Sequence, residues 1–365
     1  MIVGIDARKM WDGGIGTYIR GLIGAVAARP RGHELVALVA PEDHGHRAWP
    51  PSVREAPVRA GKYGVREHWA IPGAARRAGV QLLHAPHYTL PLGWNGAAVV
   101  TIHDLIHVRF ASFFAPGAAL YARTLAGLAA HRARAVIANS SHTARDVVEL
   151  LRLSPARVHV IPLGLTPGLR RPTTEEAEQF RRTRSLPAEF VLYVGARKGH
   201  KNLALLLEAV ARIDGGRRPA LVLTGTRWHN ADPLGAQAKR LGIERWVHFA
   251  GDLRNPHDLA RLYGAAKLYV QPSLTEGFGL PPLEAMACGT PVLSSTGGAL
   301  SETVGDAAET LPPEDPARWA AAIEALLADS GKRAELVHRG LEHAARFTWE
   351  RAAEKTIDVY ERAMD

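Results

Sequence analysis

The sequence predicts an α/β protein of two domains, each a parallel sheet with helices on both faces. Three observations carry this. The chain has 365 residues, more than one hydrophobic core usually organises. Short apolar runs alternate with helix-period segments along its whole length. A proline-punctuated, charged stretch near the middle separates two such series.

In the first series the apolar runs Ile2–Asp6, Glu34–Ala40, Gln81–Ala85, Ala97–Ile102, Ala135–Asn139 and Val158–Pro162 predict strands. Helical spacing falls between them at Gly16–Ala28, Pro116–His131 and Ser141–Leu151, with Ser140 to Thr143 supplying N-cap chemistry for the last. From Gly164 to Pro187 the chain changes character. Pro167, Gly168, Pro172 and Pro187 bracket the charged segment Thr173–Arg184, which has room for one short helix.

The second series predicts strands at Phe190–Gly195, Ala220–Gly225, Val247–Ala250, Leu268–Gln271, Pro291–Ser294 and Glu309–Leu311. Helices are expected at Lys201–Ile213, Asp232–Leu241, Pro256–Ala265, Pro282–Ala287, Pro316–Ala328 and Lys332–Ala345, and the amphipathic segment Trp349–Met364 has no strand after it. The expected domains are therefore 1–165, 166–345, and a terminal helix within 346–365.

Hydrophobic residues make up 47% of the chain and charged residues 22%, an ordinary soluble composition. The single cysteine, Cys288, excludes an internal disulfide and fits a reducing compartment. No run approaches the ~18 apolar residues that span a bilayer, and Met1–Asp6 reads as a first strand, not a signal peptide. A cytoplasmic protein is expected. The formal charge of +9 is uneven: residues 1–165 hold 19 Lys and Arg against 10 Asp and Glu, whereas the remainder holds 26 of each. Arg47, Arg54, Arg59, Lys62, Arg66, Arg76 and Arg77 cluster there, with Trp49 and Trp69 nearby. That patch is either a solvated basic surface or a face for anionic lipid or an anionic acceptor. Nothing in it has the spacing of a nucleic-acid motif.

The most specific segment runs from Ser273 to Gly289 and contains Glu276-Gly-Phe-Gly-Leu-Pro-Pro-Leu-Glu284. It follows an apolar strand and opens a helix, since proline in a first turn loses no needed N–H. Glu284 is expected in that first turn and Glu276 in the loop before it. A helix start with free N–H groups suits a diphosphate, Gly277 and Gly279 allow close backbone approach, and the two acids suit hydroxyls, a ribose diol at Glu284 and a sugar at Glu276. The alternative is helix capping by Glu284 beside an exposed Glu276. The stretch Val194–Asn202 likewise follows a strand, and its Arg197 and Lys201 are placed to neutralise a pyrophosphate.

In the first series, Asp12-Gly-Gly14-Ile-Gly16-Thr-Tyr18 lacks the third glycine of a dinucleotide fingerprint and starts too long after Asp6 for the tight turn. A flexible loop approaching phosphate is expected instead, and a dehydrogenase is disfavoured. His103, in Thr-Ile-His-Asp, ends a strand where α/β folds bind ligands. It is either a sugar-binding imidazole or a structural histidine. His84 and His87 lack the neighbouring acids or cysteine of a metal site, so no metal is assigned.

Together these segments resemble the retaining family 4, or group 1, glycosyltransferases of GT-B fold, in which two Rossmann-like domains face a central cleft. The E-x7-E segment Glu276–Glu284, the trailing Ala-Cys-Gly-Thr-Pro-Val, Gly-Gly-Ile-Gly-Thr-Tyr, His-Ala-Pro-His-Tyr, Thr-Ile-His-Asp-Leu and His-Lys-Asn-Leu carry the resemblance, which covers nearly the whole chain. Phe347-Thr-Trp-Glu is similar to the start of the family's final helix, which crosses back to the N-terminal domain. Two positions depart from the common pattern: Ala196 intervenes between Val-Gly and Arg197, and Leu163 stands where Asn often precedes the linker glycine.

The resemblance implies that Glu276 contacts the donor sugar, Glu284 the ribose, and Arg197, Lys201 and the N–H groups of Gly279 and Leu280 the diphosphate. Gly14 would close over the phosphates and His103 would touch the donor sugar. No protein base and no metal or other cofactor are implied. The pairing of the two histidine motifs is most similar to mannosyltransferases of polysaccharide or lipid-linked glycan assembly, making GDP-mannose the leading donor. The expected partners are thus a sugar nucleotide, a glycan or lipid-linked acceptor and peripherally an anionic membrane, without nucleic acid. Phe110, Phe113, Phe114 and Tyr121 are expected either as buried aromatics or as contacts for a lipid-linked acceptor. A nucleotide-sugar 2-epimerase of the same fold and a non-catalytic sugar-nucleotide-binding protein are the rival functions.

Overall fold

The computed structural model describes all residues of the chain except 30, 46–48, 116, 226–231 and 254. The chain forms two compact units, Met1–Pro167 with Phe347–Asp365, and Gly168–Arg346. Two expectations, Arg47 of the basic cluster and a helix start at Pro116, lie outside the described residues.

The first unit is built on a seven-stranded sheet. In chain order its elements are β1 (Ile2–Asp6), α1 (Gly13–Ala27), β2 (Glu34–Val39), β3 (Arg54–Pro57), α2 (Glu67–Arg77), β4 (Leu82–Ala85), β5 (Ala97–Ile102), α3 (Ile106–Arg109), α4 (Ala118–Arg132), β6 (Ala135–Ala138), α5 (Ser141–Leu151) and β7 (Val158–Val160). The strand order is β3-β2-β1-β4-β5-β6-β7, all parallel. The inner strands are buried on both faces, which is why they read as continuous apolar runs. Ser140 caps α5 by accepting from the Thr143 N–H at 3.0 Å.

Three elements of this unit, β3, α2 and the short α3, had no counterpart in the sequence reading. β3, Arg-Glu-Ala-Pro, is half exposed at the sheet edge, where a polar strand ending in proline is tolerated. α2 carries Pro72 in its interior, which masks its period. A further difference concerns the glycine segment after β1. Helix was expected from Gly16, but α1 starts at Gly13, so Gly14 also lies in its first turn. Packing overrides the poor propensity of glycine. A Cβ on Gly16 would meet the Met10 carbonyl oxygen at 2.5 Å, so only glycine lets this helix start close against the preceding turn.

The second unit begins with α6 (Thr174–Thr183), closed by a Thr173–Glu176 capping box. There follow β8 (Phe190–Tyr193), α7 (Leu203–Arg212), β9 (Ala220–Leu223), α8 (Pro233–Arg240), β10 (Val247–Phe249), α9 (Pro256–Ala265), β11 (Leu268–Gln271), α10 (Leu280–Ala287), β12 (Val292–Ser295), α11 (Leu300–Val304), β13 (Glu309–Leu311), α12 (Pro316–Ala328) and α13 (Ser330–Ala344). Its six strands are parallel in the order β10-β9-β8-β11-β12-β13.

The last helix, α14 (Trp349–Arg362), belongs to the first unit. It packs its apolar face on α1. The Trp349 indole donates to the Leu165 carbonyl at 2.6 Å and fills space that Cβ atoms on Gly21 or Gly164 would occupy. At its far end Tyr360 is fully buried with its hydroxyl 2.6 Å from His84 Nδ1.

Candidate active site

In an open α/β sheet, ligands bind beyond the strand C-termini where the strand order reverses. In the second unit that point lies between β8 and β11, because β9 lies on one side of β8 and β11 on the other. The loops leaving those strands carry Arg197, Lys201 and Glu276.

Glu276 is buried, not exposed. Its carboxylate takes the Lys201 ammonium at 2.7 Å on both oxygens. Oε1 also accepts from Ser273 Oγ at 2.6 Å and Gln271 Nε2 at 3.0 Å. The Tyr269 hydroxyl in turn donates to Gln271 Oε1. A carboxylate with three donors, one of them a cation, is fixed in position and satisfied as an anion. The backbone around it is also held: the Glu276 carbonyl accepts from the Ala299 N–H at 2.9 Å, and a Cβ on Gly298, at φ +65°, would strike that carbonyl.

Lys201 is placed by its neighbour Asn202. That residue adopts φ 56° and bridges two loops, its side-chain amide donating to the carbonyls of Pro272 at 3.1 Å and Pro313 at 2.9 Å. The sequence reading did not single out Gln271, Ser273 or Asn202. Their signal was polar side chains at the end of an apolar strand and at the start of a helix.

Glu284 lies elsewhere in the pattern. Because α10 starts at Leu280, ahead of the two prolines, Glu284 falls in the second turn and not the first. It is buried, with Oε2 accepting from the Tyr263 hydroxyl at 2.9 Å. Gly279 occupies the N-cap position at φ +106°, where a Cβ would meet Leu300, and has no side chain of its own to cap the helix. Arg197 turns to Asp232, 3.7 Å away. The structure therefore joins Lys201 directly to Glu276 and gives Arg197 and Glu284 separate partners. Among the described residues, no group of three His, Cys, Asp or Glu side chains is arranged to hold a metal ion.

In the first unit the order reverses between β1 and β4. His103, just past β5, has Nε2 3.0 Å from the Pro86 carbonyl. A carbonyl only accepts, so that nitrogen carries the proton. Burial holds the imidazole below its usual pKa, against the opposing pull of the Pro86 carbonyl, so it is a neutral group with a fixed tautomer. Tyr18 packs edge-on against it at 4.9 Å. The Tyr18 hydroxyl bonds Thr101 Oγ1 at 2.8 Å, which also meets His84 Nε2 at 2.8 Å, completing a buried chain to Tyr360. His84 is thus a hydrogen-bonded core residue. Gly14 is exposed, and a Cβ built on it meets nothing within 4 Å.

Of the basic cluster, Arg54, Arg59, Lys62, Arg66, Arg76 and Arg77 are exposed, as is Trp69, whereas Trp49 is buried. Phe113 and Tyr121 are exposed, while Phe110 and Phe114 are partly covered.

Comparison with known proteins agrees with this layout. The family described as "Glycosyltransferase Family 4" matches residues 12–169, and "Glycosyl transferases group 1" matches residues 175–343. The D-inositol 3-phosphate glycosyltransferase of Thermobispora bispora is 31% identical, over 85% of this chain and 73% of its own. This chain belongs to the group 1, family 4 glycosyltransferases. The glycosyltransferase is also similar to the O-antigen chain mannosyltransferase B of Escherichia coli, at 29% identity over 81% of this chain and 77% of that one. Some relatives are longer: an alignment to another D-inositol 3-phosphate glycosyltransferase, from Stackebrandtia nassauensis, covers 53% of that protein. In fold, the sucrose-phosphate synthase of Thermosynechococcus elongatus superposes with a TM-score of 0.82 at 24% identity, covering 100% of this chain and 98% of that one. The fold is thus GT-B, two parallel-sheet α/β domains.

Proposed function

We propose that this glycosyltransferase moves a hexose from a sugar nucleotide, with GDP-mannose as the leading donor, to a glycan or lipid-linked acceptor with retention of anomeric configuration. The observation that carries the reading is the Lys201–Glu276 pair at the strand-order reversal of the second unit. Lys201 takes a diphosphate oxygen as charge accumulates on the leaving group. Glu276 then accepts from a sugar hydroxyl while Ser273 and Gln271 hold it in place. Arg197 and the N–H groups of Gly279 and Leu280 complete the diphosphate site, Glu284 holds the ribose diol, and His103 bonds the donor sugar.

In this scheme the bond from the anomeric carbon to the diphosphate oxygen breaks, and the acceptor hydroxyl bonds to the same face of that carbon. Its proton passes to the departing phosphate. The chain supplies no base and needs no metal ion, since cationic side chains balance the leaving group. Support for Gly14 as the closing residue is its open surroundings: the fold does not itself demand a glycine there, so the demand comes from what approaches it.

Mannose is favoured by the O-antigen mannosyltransferase relative, and an inositol-type acceptor is the alternative suggested by the Thermobispora relative. The exposed basic cluster with Trp69, Phe113 and Tyr121 supports peripheral contact with an anionic membrane on the cytoplasmic side. The test is thermal stability against GDP-, UDP- and ADP-sugars. A donor at 100 times its Kd stabilises by about 2.7 kcal/mol. Stabilisation by a UDP-sugar but not by GDP-mannose would overturn the donor assignment, and conversion of donor alone to its 2-epimer would overturn transfer.

A further inference from the structure

A second set of polar groups sits at the strand-order reversal of the first unit, apart from the residues given roles above. The loop after β1 carries Arg8 and Lys9, and the loop after β4 carries His87. Arg8 takes the available carboxylates: Asp6 at 2.9 and 2.8 Å, and Glu67 at 3.0 Å. Lys62 takes Asp12 at 2.6 Å. Lys9 is left only 4% exposed, with no hydrogen-bond partner for its ammonium. The ammonium lies 3.7 Å from the centre of the Tyr63 ring. His87 also packs edge-on against that ring and is 9% exposed, its ring centre 5.7 Å from that of Tyr63 and its Nδ1 without a partner.

Burying an ammonium and an imidazole nitrogen without partners is costly, and the fold makes no use of them. The cover over them is slight. Tyr63 is 51% exposed, and its φ of 58° is a strained backbone for a non-glycine residue. It sits between Gly61 and Gly64, and its N–H is tied to Glu67 at 3.0 Å. The ring lies over Lys9 as a cation–π partner that an anion would replace with a stronger one.

We propose that Lys9 and His87 form an oxyanion subsite covered by the Tyr63 ring, which takes a phosphate group carried by the acceptor. When Tyr63 swings aside, the Lys9 ammonium and the His87 Nδ1–H each donate to one phosphate oxygen. The excess positive charge of the first unit draws such an acceptor to it. The subsite rests on the transferase reading above and specifies its acceptor class.

The test reads Lys9 itself, in the full chain, by NMR of 13C-methylated lysines, with its signal identified by loss in Lys9→Met. Burial lowers the Lys9 pKa to about 8, with Arg8 adding to the effect and Asp6, Glu67 and Asp12 opposing it. An anion at ~4–6 Å favours the charged form. Inorganic phosphate should therefore raise the Lys9 midpoint by about one pH unit or more over chloride of equal ionic strength, and acetate should raise it less. Phosphatidic acid in detergent micelles, run in parallel, should reproduce the rise if the phosphate is a lipid headgroup, whereas a rise with inorganic phosphate alone assigns a soluble phosphate. A Lys9 midpoint that neither moves overturns the subsite. Tyr63→Ala should raise the midpoint in chloride by admitting water, and a midpoint unchanged by that variant would show that the ring is not the cover. Sugar-nucleotide stabilisation of Lys9→Met is measured alongside: if donors bind and phosphate does nothing, the subsite fails alone, and if no donor binds the unaltered chain, the transferase reading fails while the titration stands.

Discussion

At the scale of single residues, Glu276 and Lys201 illustrate how a buried charged pair is held by its neighbours. Both are mostly buried, and each would be stranded without the other. Glu276→Gln keeps the hydrogen bonds from Ser273 and Gln271 but removes the charge. It should lower kcat by about 10²-fold or more, since electrostatic groups of this kind are worth that much, and lower Tm less than loss of Lys201 does, because the amide oxygen still accepts from the Lys201 ammonium. Lys201→Met should do both, because it leaves the carboxylate unpaired at a cost of about 1–3 kcal/mol. Steady-state kinetics and a melting curve on each variant separate the two effects. A Glu276→Gln enzyme of normal kcat would remove Glu276 from the chemistry.

The buried histidines set the acid limit of the first unit. Burial pushes His84 down to about 3 and His87 to about 2, with neighbouring His103 adding at His84 and the Lys9 ammonium adding at His87. The folded forms are neutral while the unfolded side chains take protons below about 6.5. Unfolded chain therefore gains protons first, and stability falls as pH drops from 6.5 towards 3. Each histidine should contribute a loss of about 1.4 kcal/mol per pH unit through that window. Urea melts between pH 7.5 and 4.5 should show this slope, and His87→Gln should flatten it. The roles of these residues were only partly legible in the sequence. That Glu276 and Lys201 lie in loops beyond strand ends was read from residue type and the apolar runs before them. That they contact each other, across 75 positions, is a product of strand order, which no local pattern contains. The same holds for His84: its partners lie 17 and 276 positions away, so the sequence offered only a histidine at a strand end.

At the scale of elements, two glycines of one helix have opposite duties. Gly16 in α1 is demanded by the Met10 carbonyl, and Gly14 has open space around it. Gly16→Ala should cost about 1–3 kcal/mol through overpacking, read as a lower urea midpoint. Gly14→Ala should leave the midpoint in place and instead raise the KM for the sugar nucleotide. Equal stability losses in both variants would deny Gly14 its proposed role. The helix was expected from Gly16, and only its start was misplaced, because three glycines in four residues read as loop, a propensity argument that tertiary packing reversed. The start of α10 was displaced similarly: proline was taken as the first helical residue, yet Leu280 precedes it, which moved Glu284 one turn along. Strands fared better, because a buried parallel strand has to be apolar along its whole length. The exception, β3, lies on an edge and escapes that requirement.

For the whole molecule, charge is partitioned between units. The terminal helix segment adds five acidic and three basic residues to the first unit, reducing its excess from +9 to +7 and leaving +2 on the second. Binding to vesicles rich in anionic lipid should therefore follow the first unit and weaken steeply between low and high salt, as screening requires. Reversing Arg66, Arg76 and Arg77 to Glu should abolish cosedimentation without altering sugar-nucleotide stabilisation. Salt-insensitive cosedimentation would argue against an electrostatic contact. The two-unit architecture was visible in the sequence through its two alternating series, since the βα rhythm repeats at a length that local patterns capture.

The position of α14 also dictates an order of birth. Its Trp349 and Tyr360 complete the packing of α1 and the His84 network, yet they leave the ribosome after the whole of the second unit. Translation at roughly 5–20 residues per second exposes the waiting groove on α1 for tens of seconds, while the intervening 168–346 segment has already emerged and can fold. The second unit of a nascent chain can thus mature before the first, and any chaperone recruited to the α1 groove should release it only after α14 has emerged.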